Sequence, residues 1–214
     1  MGIEILVRYF PGLCGITLDR FKLLESLYGY WNSRINVVSR KDISNLYINH
    51  VLHSLSLAKV IKFSDGETLL DIGTGGGFPG IPLAVMFPHV GFTLVDSTRK
   101  KIRVVESIAG ELGLDNVRPV HTRAEDLKGQ FNYVVSRAVC LFPVLVNLSS
   151  GRLIRCCSPS SCHGIYSLKG GDIDSEVEEW KEKVRIFDIS DLFTEDFFLT
   201  KKIVFLPSVE LTYD

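Results

Sequence analysis

The chain has 214 residues, 46% of them hydrophobic and 23% charged, with a formal net charge of −1 at pH 7. That is one ordinary domain's worth of chain, apolar enough to bury a core and too close to neutral for a uniformly basic nucleic-acid binder. No run approaches the roughly 18–20 apolar residues of a membrane span, residues 1–6 carry no secretory pattern, and five cysteines (two of them adjacent, Cys156 and Cys157) make a poor disulfide framework, so a cytoplasmic protein with reduced thiols is expected.

The near-neutral average hides blocks of charge. Residues 1–64 carry eight Lys/Arg against four Asp/Glu, and residues 97–171 carry eleven against five. Residues 65–96 carry four acids and no base, and residues 172–196 ten acids and three bases. Such blocks are solvated helix faces or the two poles of a binding protein.

In chain order, Thr17 is a candidate N-cap for a helix with Phe21, Leu24, Leu27, Tyr28 and Trp31 on one face. Residues 46–61 repeat that period. Thr68–Ile72 is a short apolar run closed by glycine, a buried strand. Ile81–Phe87 reads as a helix with Pro82 tolerated in its first turn, Phe92–Val95 as a strand, and Thr98–Leu112 as a helix stopped by Gly113. Strands follow at Val117–His121, Tyr133–Val135 and Ile165–Leu168, then a charged helix at Glu176–Lys183. Strands at Val184–Ile189 and Lys202–Leu206 have no helix between them, which predicts a hairpin and one antiparallel strand. The alternation predicts an α/β fold: a mostly parallel sheet covered by helices, with residues 1–64 as an N-terminal helical extension, 65–207 as the main domain and 208–214 as a tail.

The densest signal is Asp71-Ile-Gly-Thr-Gly-Gly-Gly-Phe-Pro-Gly80. Glycines after a first parallel strand let a cofactor approach the backbone. The spacing Gly73-x-Gly75-x-Gly77 suits an S-adenosylmethionine loop, and Gly75-x-Gly77-x-x-Gly80 formally suits a dinucleotide. Charge favours the first. A diphosphate is repelled by Asp71, whereas an ammonium and a sulfonium are attracted by it. Asp96, ending the second strand, is placed to accept hydrogen bonds from ribose hydroxyls, or to cap the next helix. Ala124 and Glu125, after the third strand, lie where an adenine edge would.

These residues lead to a family. The chain resembles the glucose-inhibited division protein B family, bacterial small-subunit rRNA (guanine-N7) methyltransferases. The matching pieces are Trp31-Asn32-x-x-Ile35-Asn36, His50-Val-Leu-His-Ser54, Leu70 through Pro82, Val95-Asp-Ser97 with Lys100-Lys101, Arg123-Ala-Glu125, Ser136-Arg-Ala138 and Leu168-Lys-Gly170, in order over nearly the whole chain. The resemblance implies a class I, Rossmann-like methyltransferase fold with an N-terminal helical cap, S-adenosyl-L-methionine as cofactor, and 16S rRNA as substrate, free or in a small-subunit particle. It implies methyl transfer to N7 of a guanine in the 530 loop (guanine 527), with Gly73, Phe78, Ala124, Glu125 and Arg137 contacting the cofactor. His53 stands where many members of the family have Asp.

The residues themselves agree with N7. That atom carries a lone pair and no proton, so displacement on a sulfonium needs placement and no general base. An exocyclic-amine enzyme would show Asn/Asp-Pro-Pro-aromatic after the fourth strand, where this chain has Ser136-Arg137-Ala138. A cytosine-C5 enzyme needs a nucleophilic cysteine in a Pro-Cys or Thr-Cys setting, and Cys140 follows Val139. Arg137 suits a carboxylate or a phosphate, or a surface ion pair. Lys169, after the fifth strand, is a second positioning candidate and an RNA contact. Arg34, Arg40 and Lys41 extend the RNA surface, and His50 and His53, three apart, either stack on a base or complete an interface. Cys156, Cys157, Cys162 and His163 are zinc-type ligands too crowded to close a tetrahedral site, so no metal is expected. A methyltransferase acting on another RNA or a small molecule, and a non-catalytic cofactor-dependent rRNA-binding protein, remain open on this reading.

Overall fold

A computed structural model describes residues 2–39, 42–154 and 163–211. Helices α1 (Glu4–Tyr9) and α2 (Gly15–Asn32) open the chain. Helix α2 starts ahead of the expected cap at Thr17, because Cys14 is the extended residue before its first turn. The single helix expected over residues 46–61 is preceded by a 3-10 turn (Ile43–Asn45) and broken into three pieces: a π-helix (Tyr47–Leu52), α3 (His53–Leu55) and α4 (Leu57–Val60). Serine hydroxyls compete for helix carbonyls here: Ser54 Oγ donates to His50 O and Ser56 Oγ to His53 O, both at 2.7 Å.

The sheet comprises β1 (Thr68–Ile72), β2 (Gly91–Asp96), β3 (Val117–His121), β4 (Tyr133–Arg137), β5 (Gly164–Gly170), β6 (Arg185–Asp188) and β7 (Lys201–Pro207), in the order β3-β2-β1-β4-β5-β7-β6. Strands β1 to β5 pair in parallel, and β7 inserts antiparallel between β5 and β6. The predicted hairpin and single antiparallel strand are therefore present. Helices α5 (Gly80–Met86), α6 (Arg99–Glu111), α7 (Phe142–Ser149) and α8 (Asp174–Val177) complete the fold. Helix α6 stops where predicted, with Gly113 at φ +60°. Helix α7 is nearly all apolar and offers no polar face for a periodic pattern to reveal. The charged helix expected over 176–183 shrinks to α8 and a 3-10 turn, Glu178–Trp180. Like charges four apart, such as Glu178 and Glu182, oppose its extension.

Alternating side chains feed two cores. Leu69, Phe92, Leu94, Tyr133, Val135, Tyr166 and Phe205 join one cluster with α1, α2, the 46–61 segment, α5 and α6. Leu70, Ile72, Val95, Val134, Ile165 and Val204 join the other with α7 and α8. Residues 1–64 are thus an extension in sequence only, because their apolar side chains share a core with the sheet. The tail continues past β7 as a 3-10 turn, Ser208–Glu210, and Leu211 is buried. Among the described residues no helix is long and apolar enough to cross a membrane.

One contact ties α2 to the loop after β1. The Tyr28 ring is fully buried, stacks on Phe78 with centroids 4.6 Å apart, and its hydroxyl donates to Gly76 O at 2.7 Å. Tyr28→Phe removes that donor and should cost about 1–3 kcal/mol in urea unfolding, the usual penalty for a buried carbonyl left unpaired. An unchanged midpoint would mean that the hydroxyl contributes nothing to the docking of α2.

Candidate active site

A cavity of about 630 Å³ opens at the carboxyl ends of β1 to β4, where open parallel sheets bind ligands. Its floor is the glycine loop. Asp71, at 0% exposure, shapes that loop from beneath: its Oδ2 accepts from Thr74 Oγ1 at 2.7 Å and from the Gly80 amide at 3.0 Å. Its Oδ1 is buried without a hydrogen-bond partner. Burial pushes the Asp71 carboxyl up to about 7, against the opposing pull of those hydrogen bonds and of Arg137.

The loop's glycines serve different ends. Gly73 lies at φ +66°, and a Cβ on it would sit 2.4 Å from Val139 Cγ2. Gly75, at φ +60°, lines the cavity, and a Cβ on it would meet only Gly73 O, at 3.9 Å. Gly77 is not among the cavity residues. A Cβ there would strike Ile81 at 2.6 Å, so internal packing by itself requires glycine at this position. Asp71 likewise lies below the cavity lining, where its two hydrogen bonds order the loop.

Asp96, at the end of β2, ties the glycine loop to the turn before α6. Its Oδ1 accepts from the Thr98 amide at 2.8 Å, beneath the start of α6, and its Oδ2 accepts from the Gly75 amide at 3.1 Å. Lys101 Nζ lies 3.8 Å from Oδ2. Each oxygen keeps a second lone pair, and Asp96 lines the cavity. Ala124 and Glu125, in the 3-10 turn after β3, line it on the far side of Asp96.

Arg137, at the end of β4, closes the other side. Its Nη2 donates to His50 Nδ1 at 2.9 Å, and its guanidinium lies 5.0 Å from the Phe78 ring centroid. Burial lowers the guanidinium to about 10. Burial, then the Arg137 charge, lowers His50 to about 3. A guanidinium only donates, so His50 is neutral with its proton on Nε2. Behind it Asn49 Nδ2 donates to Asp42 Oδ1 at 3.0 Å, and Asp42 Oδ2 accepts from Ser39 Oγ at 2.7 Å.

Several expected RNA contacts sit elsewhere. His53 is 6% exposed and packs edge-on against Phe197 and Phe198, whereas His50 is half-buried with its Nε2 covered and its Nδ1 bonded to Arg137. Lys169 is no free cation: its Nζ donates to Cys140 O at 2.7 Å and to Glu176 Oε2 at 2.6 Å. Arg34 is on the surface, its guanidinium 3.7 Å from the Tyr30 ring centroid. Arg40, Lys41, Cys156, Cys157 and Cys162 lie outside the described residues.

Sequence reading missed Val37 and Val139, which line the cavity from the N-terminal segment and the turn after β4. Val37 is held there because Asn32 Oδ1 accepts from the Val37 and Val38 amides at 3.0 and 2.9 Å. The Trp31-Asn32 motif carried that signal. Val139 had none.

Residues 18–204 match the family described as GidB, rRNA small subunit methyltransferase G. The chain is 48% identical over 207 residues to the ribosomal RNA small subunit methyltransferase G of Christiangramia forsetii, covering 97% of this chain and 98% of that one. It is 46% identical to the protein of the same name from Porphyromonas gingivalis, covering 96% and 94%. Among solved structures, a T. thermophilus 16S rRNA N2 methyltransferase in complex with AdoMet and guanosine superposes with a TM-score of 0.53 at 15% identity, over 79% of this chain and 43% of that one. An rRNA methylase from Streptococcus thermophilus gives 0.51 at 10% identity, over 73% and 94%. At such identities the structures speak for the fold alone, a class I methyltransferase sheet. On the sequence match, the chain belongs to the GidB family of rRNA small subunit methyltransferases G.

Proposed function

We propose that this protein transfers a methyl group from S-adenosylmethionine to N7 of a guanine in 16S rRNA, the 530-loop guanine that the family resemblance implies. The observation that carries this reading is the cavity, in which a glycine loop with positive-φ Gly73 and Gly75 is backed by buried Asp71 and flanked by Asp96. Two carboxylates and an open backbone fit a cationic adenosyl ligand and repel a dinucleotide's diphosphate. The bound cofactor would supply an activated methyl on its sulfonium. Asp96 would hold the ribose hydroxyls, Ala124 and Glu125 the adenine edge, and Gly73, Gly75 and Phe78 the methionine end beside Arg137. The work of the chain is orientation. His50 accepts from Arg137 through one ring nitrogen and stays neutral at physiological pH, so Arg137 keeps its position without proton exchange. RNA would approach over Arg34 and the exposed Arg99, Lys100 and Arg103 of α6, beside the cavity. An rRNA substrate implies a cytoplasmic site of action.

Cofactor affinity should depend on pH through Asp71. With its pKa at about 7, Asp71 is protonated below that value and the field that attracts a cationic ligand is lost. Affinity measured by calorimetry should fall as pH drops from 8 to 6, by up to about tenfold per unit for one competing proton. Asp71→Asn keeps an acceptor for Thr74 and Gly80, and should bind weakly at pH 8 with no such slope. The unliganded fold follows the opposite sign: a raised carboxylate pKa makes it less stable as pH rises through 7, and Asp71→Asn removes that loss. A cofactor affinity that is flat with pH would remove Asp71 from the site's electrostatics.

Gly73→Ala should abolish cofactor binding, since the new Cβ meets Val139 and the backbone is left-handed. Adding Val139→Ala should recover only part of the affinity. Full-affinity binding by Gly73→Ala would place the ligand elsewhere.

For the acceptor, RNA carrying 7-deazaguanine at the target position should accept no methyl, and the methylated natural RNA should break at one guanine after borohydride and aniline. Methyl transfer at saturation should show no steep ionisation between about pH 6 and 9, because N7 has no proton to remove. Full-rate methylation of the deaza RNA would move the acceptor to another atom. Neutralising Arg99, Lys100 and Arg103 together should flatten the salt dependence of RNA binding by up to about 2–3 units of slope while sparing cofactor affinity. An unchanged slope would take α6 out of the RNA footprint.

A further inference from the structure

The chain between β4 and α7 is held unusually. Ala138 has φ +54°, which makes it the only non-glycine residue with positive φ among those described. A side chain disfavours that conformation, so surrounding contacts have to impose it. The turn it creates sets Val139 directly over Gly73, in the cavity lining, and leaves Val139 43% and Leu141 60% exposed. At one end the turn is anchored by Arg137 through His50. At the other end Lys169 Nζ, from β5, donates to Cys140 O, and Glu176 Oε2, from α8, accepts both from Lys169 and from the Phe142 amide at 2.9 Å. The Lys169 and Glu176 side chains are only 10% and 21% exposed, so removing either leaves the other charge poorly compensated.

We propose that Lys169 and Glu176 are a pair of positioning residues that clamp the Ala138–Leu141 turn, fixing Val139 against the glycine loop as the wall on which the target guanine is placed. This rests on the methyltransferase reading above. Glu176 belongs to the acidic 172–196 block, and its clamp gives one member of that block a part in the reaction. Burial pushes the Glu176 carboxyl up, but Lys169 and the Phe142 amide outweigh it and hold the group below the ordinary glutamate value, so Glu176 stays ionised at neutral pH. Neither residue touches the reacting atoms. Their influence runs through the backbone of the turn, and it should show in the rate at saturation rather than in cofactor affinity.

The test uses the full-length protein with Glu176→Ala, Glu176→Gln, Lys169→Met and the double variant Lys169→Met/Glu176→Ala. Calorimetry with S-adenosylhomocysteine, methyl transfer to 16S rRNA and hydrogen exchange over residues 138–142 are measured on each. Glu176→Ala and Lys169→Met should each lower kcat 10- to 100-fold, with KM for RNA and the Kd of S-adenosylhomocysteine within about threefold of the parent. Exchange at 138–142 should accelerate. The double variant should be no worse than the poorer single variant, because both act on one turn. Glu176→Gln, which still accepts from the Phe142 amide, should recover at least a third of the parental rate. The proposal is overturned by a parental kcat in Glu176→Ala, by multiplicative losses in the double variant, or by a Glu176→Gln variant as poor as the alanine. If Glu176→Ala is too unstable to assay, the rate and exchange of Glu176→Gln and Lys169→Met decide alone, and unaltered exchange in Lys169→Met sinks the clamp. Failure of the parent protein to methylate RNA would instead overturn the methyltransferase reading, while exchange at 138–142 would still report on the clamp.

Discussion

The site depends on one buried carboxylate. Asp71, next to last in β1, is fully buried, and a single oxygen holds both the hydroxyl of Thr74 and the amide of Gly80. Those two donors lie six residues apart, so the bond pair closes the glycine loop into its return path toward α5. Burial alone would make Asp71 neutral, and the donors and Arg137 pull it back toward ionisation. The opposing effects leave it near neutrality, where a bound cation can decide the outcome. A shorter or uncharged side chain would keep the strand but lose either the loop's shape or its charge.

The N-terminal helices are part of the same construction. Tyr28 binds the Gly76 carbonyl, and Val37 leans on Gly76 so closely that a Cβ there would lie 2.9 Å from Val37 Cβ. His50 takes the hydrogen bond that orients Arg137. That histidine lies in a π-helix, where the wider turn results from local competition for carbonyls and is often retained at functional sites. Residues 20 and 113 complete the tie: Arg20 donates from α2 to Leu112 O at 2.7 Å and to Gly113 O, closing the end of α6. The cavity thus has a wall from the extension, a floor from β1 and a side from β4.

What was legible in the sequence follows from range. The glycine loop, Asp96, the five parallel strands and the late antiparallel pair are written in short windows, so their periods and end residues showed. Gly73, Gly75, Phe78, Asp96, Ala124, Glu125 and Arg137 do converge on one cavity. What did not show in the sequence are the side-chain contacts made around these residues. Lys169 read as a positioning or RNA-contacting residue, but its ion pair with Glu176, on another element, gave no sign in the sequence. For His50 and His53 the choice between stacking on a base and completing an interface stayed open, because helical spacing says which face they share and nothing about what covers that face. Gly77 read as a ligand position because a pattern of glycines cannot separate a cofactor's approach from the packing of Ile81.

The treatment of titratable groups fits a reaction in which no proton moves. The buried ones around the cavity are committed to protein partners: Asp71 to Thr74 and Gly80, His50 to Arg137, Lys169 to Glu176. A general base would need a lone pair directed at the substrate and a pKa near the working pH. The His50 lone pair is spent on a guanidinium, and its pKa is far too low. Asp71 has a suitable pKa but lies beneath the loop, outside the cavity lining. What the site offers a reactant is shape, a fixed guanidinium and fixed carboxylates, which is what an acceptor with an exposed lone pair requires of it. The same economy explains why charge pairs buttress the turn after β4. In a reaction governed by distance and angle, a strained backbone held by an ion pair contributes through geometry what an acid or base contributes elsewhere through proton transfer.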